Sequence, residues 1–200
     1  SSMAAGLLIY RVKRRLLVHW LNFKRYKSDV ARQAVPPHLN AAEFARHYAD
    51  KPQTDTEEYL SLSGEMCWDA VVLCAHRSGA LSKAKYKQLW QTVFDKQYKH
   101  FVSPDDTEIR TMADMLRAPQ GCFIGIFSLR DAAAPRLLHA MIGTGAGFAA
   151  GNKNLFIGVG GAVGWENLNL ARDLRWQPEG GFLRQGDNEV LRIFYRAFPA

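Results

Sequence analysis

Two hundred residues, 48% of them hydrophobic and 12% aromatic, supply one core of ordinary size and leave no room for two large domains. Three cysteines are too few for a disulfide framework, which points to synthesis in a reducing compartment. The formal charge of +7 excludes an acidic chain, but its distribution argues against a generally basic surface. Residues 1–28 hold Arg11, Lys13, Arg14, Arg15, Lys24, Arg25 and Lys27 and no acid, and the other 19 basic residues are matched by 19 acidic ones.

The chain therefore reads as a basic, amphipathic arm over residues 1–35 followed by one domain over 36–200. Within the arm, Leu7-Leu8-Ile9-Tyr10 and Leu16-Leu17-Val18-His19-Trp20 flank a basic cluster. Charges in mid-segment disfavour both a spanning helix and a signal peptide. Residues 4–28 suit a membrane surface, or a carrier or immunity protein, as partner. No nucleic-acid partner is expected, because nothing basic elsewhere extends the patch and no reader motif is present.

Pro36-Pro37 ends the arm, and Asn40 is placed to cap a short helix from Ala41 to about Ala49. Asp50 to Glu58 reads as a loop. Ser63-Gly64 looks like a helix start, with Cys67 in the first turn and Val71, Cys74 and Ser78 along its stripe; Ser78-Gly79 stops that helix after Arg77. A second helix is expected from Ser82 to Lys99, with Trp90 and Phe94 as its core pair, and a third from Pro104 to Leu116. The texture then turns to sheet, with strands expected at Cys122–Leu129, Leu137–Gly143, Gly147–Gly151, Leu155–Gly160 and Val190–Phe198. A helical front half and an antiparallel back half make the fold class α+β.

Candidate chemistry centres on Cys67. At a helix start the unpaired N–H groups and the positive end of the dipole favour a thiolate. His139, on a strand, is the candidate base, while Trp165 reads as rim packing. Cys74 and Cys122 read as core residues. The remaining histidines (His19, His38, His47, His76, His100) lack paired ligand spacing, so no metal is expected. The run Gly143-Thr144-Gly145-Ala146-Gly147 lacks the dinucleotide spacing and any surrounding βαβ unit, so no cofactor is expected; it reads as a hairpin turn. No Gly-x-Ser-x-Gly elbow occurs.

The run Met66-Cys67-Trp68-Asp69-Ala70-Val71-Val72 resembles the nucleophile helix of papain-like thiol peptidases. The run from His139 to Asn152 resembles their catalytic-histidine hairpin and, more closely, that of NlpC-type cell-wall amidases; the resemblance implies Asn152, and secondarily Asn154, as the orienter of the imidazole, with Glu166 as a substitute. The resemblance implies a papain-like fold, with the nucleophile helix packed on an antiparallel sheet, and cysteine-dependent hydrolysis of amide bonds: peptidase, peptidoglycan amidase or Gln/Asn deamidase. The substrates would be a peptide, peptidoglycan or a protein carboxamide. By analogy with small effector domains, it also implies a bacterial toxin made in the cytoplasm and secreted or delivered to a target cell. Two positions depart from the families: the stretch Tyr59-Leu60-Ser61-Leu62-Ser63, where the papain family carries a Gln, has none, and Met66 stands where the NlpC pattern has Asp, so the oxyanion hole would rely on backbone donors such as the Cys67 N–H. The alternative is a non-catalytic binding module that docks through its basic arm.

Overall fold

The computed structural model describes residues 41–43, 45–46, 67–92, 101–152, 157 and 165–197. The chain divides into two units, Ser1–Ala34 and Val35–Ala200; every described residue belongs to the second, and the basic arm lies outside them. Residues 41–43 and 45–46 are helical. There follow α1 (Cys67–Arg77), α2 (Lys83–Thr92), β1 (Thr107–Ile109), α3 (Met112–Arg117), β2 (Phe123–Ser128), β3 (Arg136–Gly145), β4 (Phe148–Asn152), β5 (Trp165–Asn169), α4 (Leu170–Asp173), β6 (Arg175–Trp176), β7 (Phe182–Leu183) and β8 (Val190–Arg196).

The fold is α+β. Among the described residues eight strands form one antiparallel sheet in the order β5-β4-β3-β2-β8-β7-β6, and β1 also pairs with β8. Both faces of the sheet are covered, which is why β2 and β3 read as nearly continuous apolar runs rather than alternating ones. On one face, Phe123, Phe127, Ala140, Ile142, Ala150, Trp165 and Phe194 pack with α1 through Trp68, Val71, Val72 and Cys74. On the other, Ile124, Ile126, Met141, Ala149, Leu191 and Ile193 pack with Met115 of α3 and with Leu170 and Ala171 of α4.

Helix α1 is apolar nearly all round and buried from Trp68 to His76, as a helix enclosed on several sides must be. Trp68 is its anchor: its ring meets Phe101 edge-on at 5.0 Å, and Phe101 meets Phe123 at 4.5 Å, geometry that adds to the area such rings bury. Gly79, at φ +84°, donates its N–H to the His76 carbonyl and ends the helix where the sequence places the stop.

One of the expected elements needs correction, and parts of two others lie outside the described residues. Residues 104–116 do not form one helix. The Ser103 N–H donates to an Asp106 carboxylate oxygen at 2.6 Å, closing a turn, and Thr107–Ile109 then pair with Tyr195, Phe194 and Ile193. The helix starts only after Thr111, whose hydroxyl accepts from the Asp114 N–H in a reciprocal capping box; Asp106, taken for part of a helix start, serves the turn, and a later acid, Asp114, serves the cap. The α2 helix is described only to Thr92, and the Trp90–Phe94 pair lies outside the described side chains. The strands β5, β6 and β7 were not anticipated, whereas the strand expected at Leu155–Gly160 lies outside the described residues apart from the buried Ile157.

The hairpin between β3 and β4 turns at Ala146 and Gly147, with φ of 52° and 85°. Both central residues are left-handed, the conformation that matches the twist of the flanking strands. A Cβ on Gly147 would lie 2.6 Å from the Ala171 Cβ, so only glycine fits.

Candidate functional site

Cys67 opens α1 and is the least buried of the three cysteines, all of which are free. Helix α1 lies on the Ala140–Ile142 face of β3, which brings the Cys67 sulfur to the backbone N–H of Ala140. Burial is the largest influence on this thiol and pushes its pKa up, with a further push from the Asp69 carboxylate; hydrogen bonds from the Ala140, Trp68 and Cys67 N–H groups act against them. Burial wins, and the group is a thiol at neutral pH. Cys122 is pushed up to about 12 by burial, and Cys74, fully buried, is raised further. Both belong to the core, on opposite faces of the sheet.

His139 is 1% exposed. Its cross-strand neighbour on β2 is Ile126, which pairs in turn with Ile193 of β8. Residues opposite one another in an antiparallel pair share a face, so the imidazole stands in the Ile193–Ile126 row, with Met141 and away from α1. Gly151 of β4 makes room for it: a Cβ there would sit 3.2 Å from Met141 Cγ and 3.5 Å from His139 Nε2. The ring Nδ1 has no hydrogen-bond partner among the described residues. Burial in this apolar row lowers the imidazole pKa to about 4, so the group is neutral at pH 7.

The expected pairing of Cys67 with His139 is therefore not formed: thiol and imidazole lie on opposite faces of the sheet. The physical reason is a bulge. Between the pairs Ile126–His139 and Phe127–Leu137 the register shifts, leaving Leu138 as the extra residue. Leu138 and His139 both turn towards the second face, and strict alternation resumes at Ala140.

Asn152 is placed differently. It pairs with Trp165 on β5 and so shares the α1 face, buried to 5% exposure. Continuing the register from Ile142–Ala150 puts Asn152 across from Ala140. Cys67 and Asn152 thus meet at one residue of β3 without the histidine. Trp165, expected as a rim residue, is in the core and donates its indole N–H to the Ala45 carbonyl at 2.8 Å. Glu166 pairs with Gly151, which puts it on the His139 face, beyond Gly151. Asn154 lies outside the described residues.

Among the described residues no group of His, Cys, Asp and Glu is placed to hold a metal ion, and no helix is long and apolar enough to cross a membrane. His76, on α1, is held by the Leu81 carbonyl at 3.3 Å and stacked on Tyr86 at 4.2 Å. A second concave feature, at the hairpin end of β3 and β4, is formed by Arg46, Gln120, Thr144 and Asn167, of which the sequence marks only Thr144, within the glycine-rich run. Their separation along the chain hides the grouping, since only the folded sheet brings them together. No family model matches this chain, and neither the curated proteins nor the solved structures contain a match to it.

Proposed function

We propose that the Val35–Ala200 unit is a papain-like, cysteine-dependent hydrolase of amide bonds, with Cys67 as nucleophile, His139 as base and Asn152 as orienter. The observation that carries this reading is convergence on Ala140. Its N–H meets the Cys67 sulfur, His139 is its neighbour in the chain, and Asn152 is its continuation across the ladder. Residues singled out for their chemistry thus surround one backbone position, and a bulge, a feature common beside active sites, lies at the same place.

The working site requires the bulge to move by one residue. If His139 rather than Leu138 becomes the extra residue, Leu138 takes the place opposite Ile126, Ala140 stays opposite Gly125, and only the imidazole is free to turn towards α1. There it would take the Cys67 proton. The thiolate would attack the amide carbonyl, the imidazolium would return the proton to the leaving amine, and water would hydrolyse the thioester. A peptide, peptidoglycan stem or protein carboxamide is the substrate class, and delivery as a bacterial effector toxin belongs to the same reading.

The test is the pH dependence of alkylation at each cysteine, resolved by peptide mass spectrometry, in wild type and His139→Ala. The proposal expects Cys67 alone to react fast near pH 6 and to slow in the variant. Reaction of Cys67 only at high pH and independent of residue 139 sinks it.

A second reading is a non-catalytic module acting through its basic arm. The observation in its favour is the separation of thiol and imidazole by the sheet, with neither group charged at neutral pH. On this reading Cys67→Ala preserves function, while loss of the arm's seven positive charges abolishes binding to an anionic surface.

A further inference from the structure

The cleft at the hairpin end of β3 and β4 has a volume of about 330 Å³, at the lower end of the roughly 300–1,000 Å³ typical of small-ligand sites. Its polar chemistry is one-sided. The Thr144 carbonyl accepts from Arg46 Nη2 at 2.5 Å and from Gln120 Nε2 at 3.1 Å, which uses both of its lone pairs. The Thr144 hydroxyl donates to Asn167 Oδ1 at 2.6 Å, which occupies that oxygen and directs the Asn167 amide N–H groups elsewhere. Among the described residues the donors that remain are the other guanidinium N–H groups of Arg46, both N–H groups of Asn167 and one of Gln120, against the Gln120 amide oxygen as the remaining side-chain acceptor of the three. Among the described residues no acid lines the cleft and no ion pair to Arg46 is formed.

Its position is fixed from several elements. Arg46 belongs to the helical residues tied to the sheet by the Trp165–Ala45 bond, and Asn167 pairs with Ala150 on β5 and β4. Gln120 lies over Gly145, where a Cβ would meet its side chain at 2.8 Å. Phe148 and Ala146 complete the wall with apolar surface, and Ala146 is held in the left-handed region at φ 52°, a conformation unfavourable for a non-glycine residue.

We propose that this cleft binds a small organic carboxylate with an apolar body. The carboxylate lies against the Arg46 fork and the Asn167 and Gln120 amide donors, and the body lies against Phe148. A guanidinium presents paired donors in the geometry of a carboxylate, and a permanent charge beside neutral donors, with the Thr144 carbonyl and the Asn167 amide oxygen already occupied, selects an anion over a cation or a neutral polar molecule. The proposal is independent of the Cys67 chemistry, because nothing is cleaved and the thiol is not involved.

The test is calorimetric titration of the full chain with 3-phenylpropionate, with 3-phenylpropan-1-ol as the neutral analogue and with inorganic phosphate. The acid is expected to bind at least roughly tenfold more tightly than the alcohol, the factor expected of one charge-assisted contact, and more tightly than phosphate. Arg46→Ala should abolish that preference, and Arg46→Lys, which keeps the charge without the fork, should retain only part of it. If Arg46→Ala does not fold, Gln120→Leu on the exposed rim serves instead and should weaken the acid while leaving the alcohol unchanged. Equal binding of acid and alcohol, phosphate binding in place of the acid, no binding of the acid, or an undiminished preference in the variants overturns the proposal.

Discussion

Acid should unfold this protein more readily than its carboxylates alone would cause, and the excess should be traceable to His139. In the folded chain its imidazole stands among Ile126, Ile193 and Met141 with a pKa of about 4, against an ordinary 6.5; in the unfolded chain the ordinary value applies. The sign follows from proton counting. Between those two values the unfolded state binds the proton and the folded state does not, so stability falls as pH drops through 6.5 towards 4 and is constant on either side as far as this group is concerned. A difference of about 2.5 units at 1.36 kcal/mol each is about 3 kcal/mol. Glu166, beyond Gly151 on the same face, opposes the effect in so far as its charge reaches the ring.

The perturbation is His139→Leu, which fills the same apolar row without an ionisable group and removes a buried Nδ1 that has no hydrogen-bond partner among the described residues. Such a replacement should be close to neutral at pH 7. Urea titrations followed by tryptophan fluorescence and far-ultraviolet circular dichroism at pH 7.5, 6, 5 and 4 give both curves. The expected result is a wild-type stability that falls about 3 kcal/mol further than the variant's between the two extremes, with the divergence starting near pH 6.5. His76 has its pKa lowered by burial as well, but it is common to both proteins and cancels. Parallel curves for the two proteins would refute the reasoning and show that the imidazole is solvated or paired in the folded state.

Other consequences are more local. Gly147→Ala places a Cβ 2.6 Å from that of Ala171 at a φ of +85° and should cost roughly 2 kcal/mol or more, read as a lowered urea midpoint; an unchanged midpoint would mean that α4 is not packed on this turn. Trp68→Ala removes the indole that links α1 to Phe101 and Phe123 and should cost roughly 3–5 kcal/mol. Thr111→Ala deletes the capping box of α3 and should cost about 1 kcal/mol, a difference that chemical denaturation resolves. Deleting residues 4–28 should abolish retention on anionic vesicles while leaving the alkylation profile of Cys67 unchanged, and a changed profile would show that the arm contributes to the thiol's environment.

The positions of α1, β2, β3, β4 and β8 were legible because each is specified by neighbouring residues: a helix start and a glycine stop around an apolar helix, and apolar runs separated by glycine. The turn at Ala146-Gly147 is equally local. The segments misread or missed have no such autonomy. Strand β1 carries only three residues, Thr107–Ile109, and exists because β8 offers it a ladder; β5 is a Trp-Glu-Asn-Leu-Asn stretch whose polar residues do not alternate cleanly, and β6 and β7 have two residues each.

For the candidate site, the identity and chain order of Cys67, His139 and Asn152 were visible in the residues, and so was the placement of Cys67 at a helix start. Which side of the sheet each side chain occupies was not. In a strand that choice depends on parity, and one extra residue at Leu138 reverses, relative to Leu137, the side taken by His139, Ala140 and Ile142 alike. Parity is decided by pairing with Ile126, Phe127 and Leu137 across the ladder, and so by packing between segments remote in sequence. The thiol's raised pKa has the same origin. A helix start lowers it and burial raises it, and the extent of burial is a property of the assembled core rather than of the helix. The sequence by itself determined the elements and their chemical inventory, because propensity, capping and turn geometry act over a few residues. The tertiary structure alone decided which groups face one another, because register and burial are settled between strands.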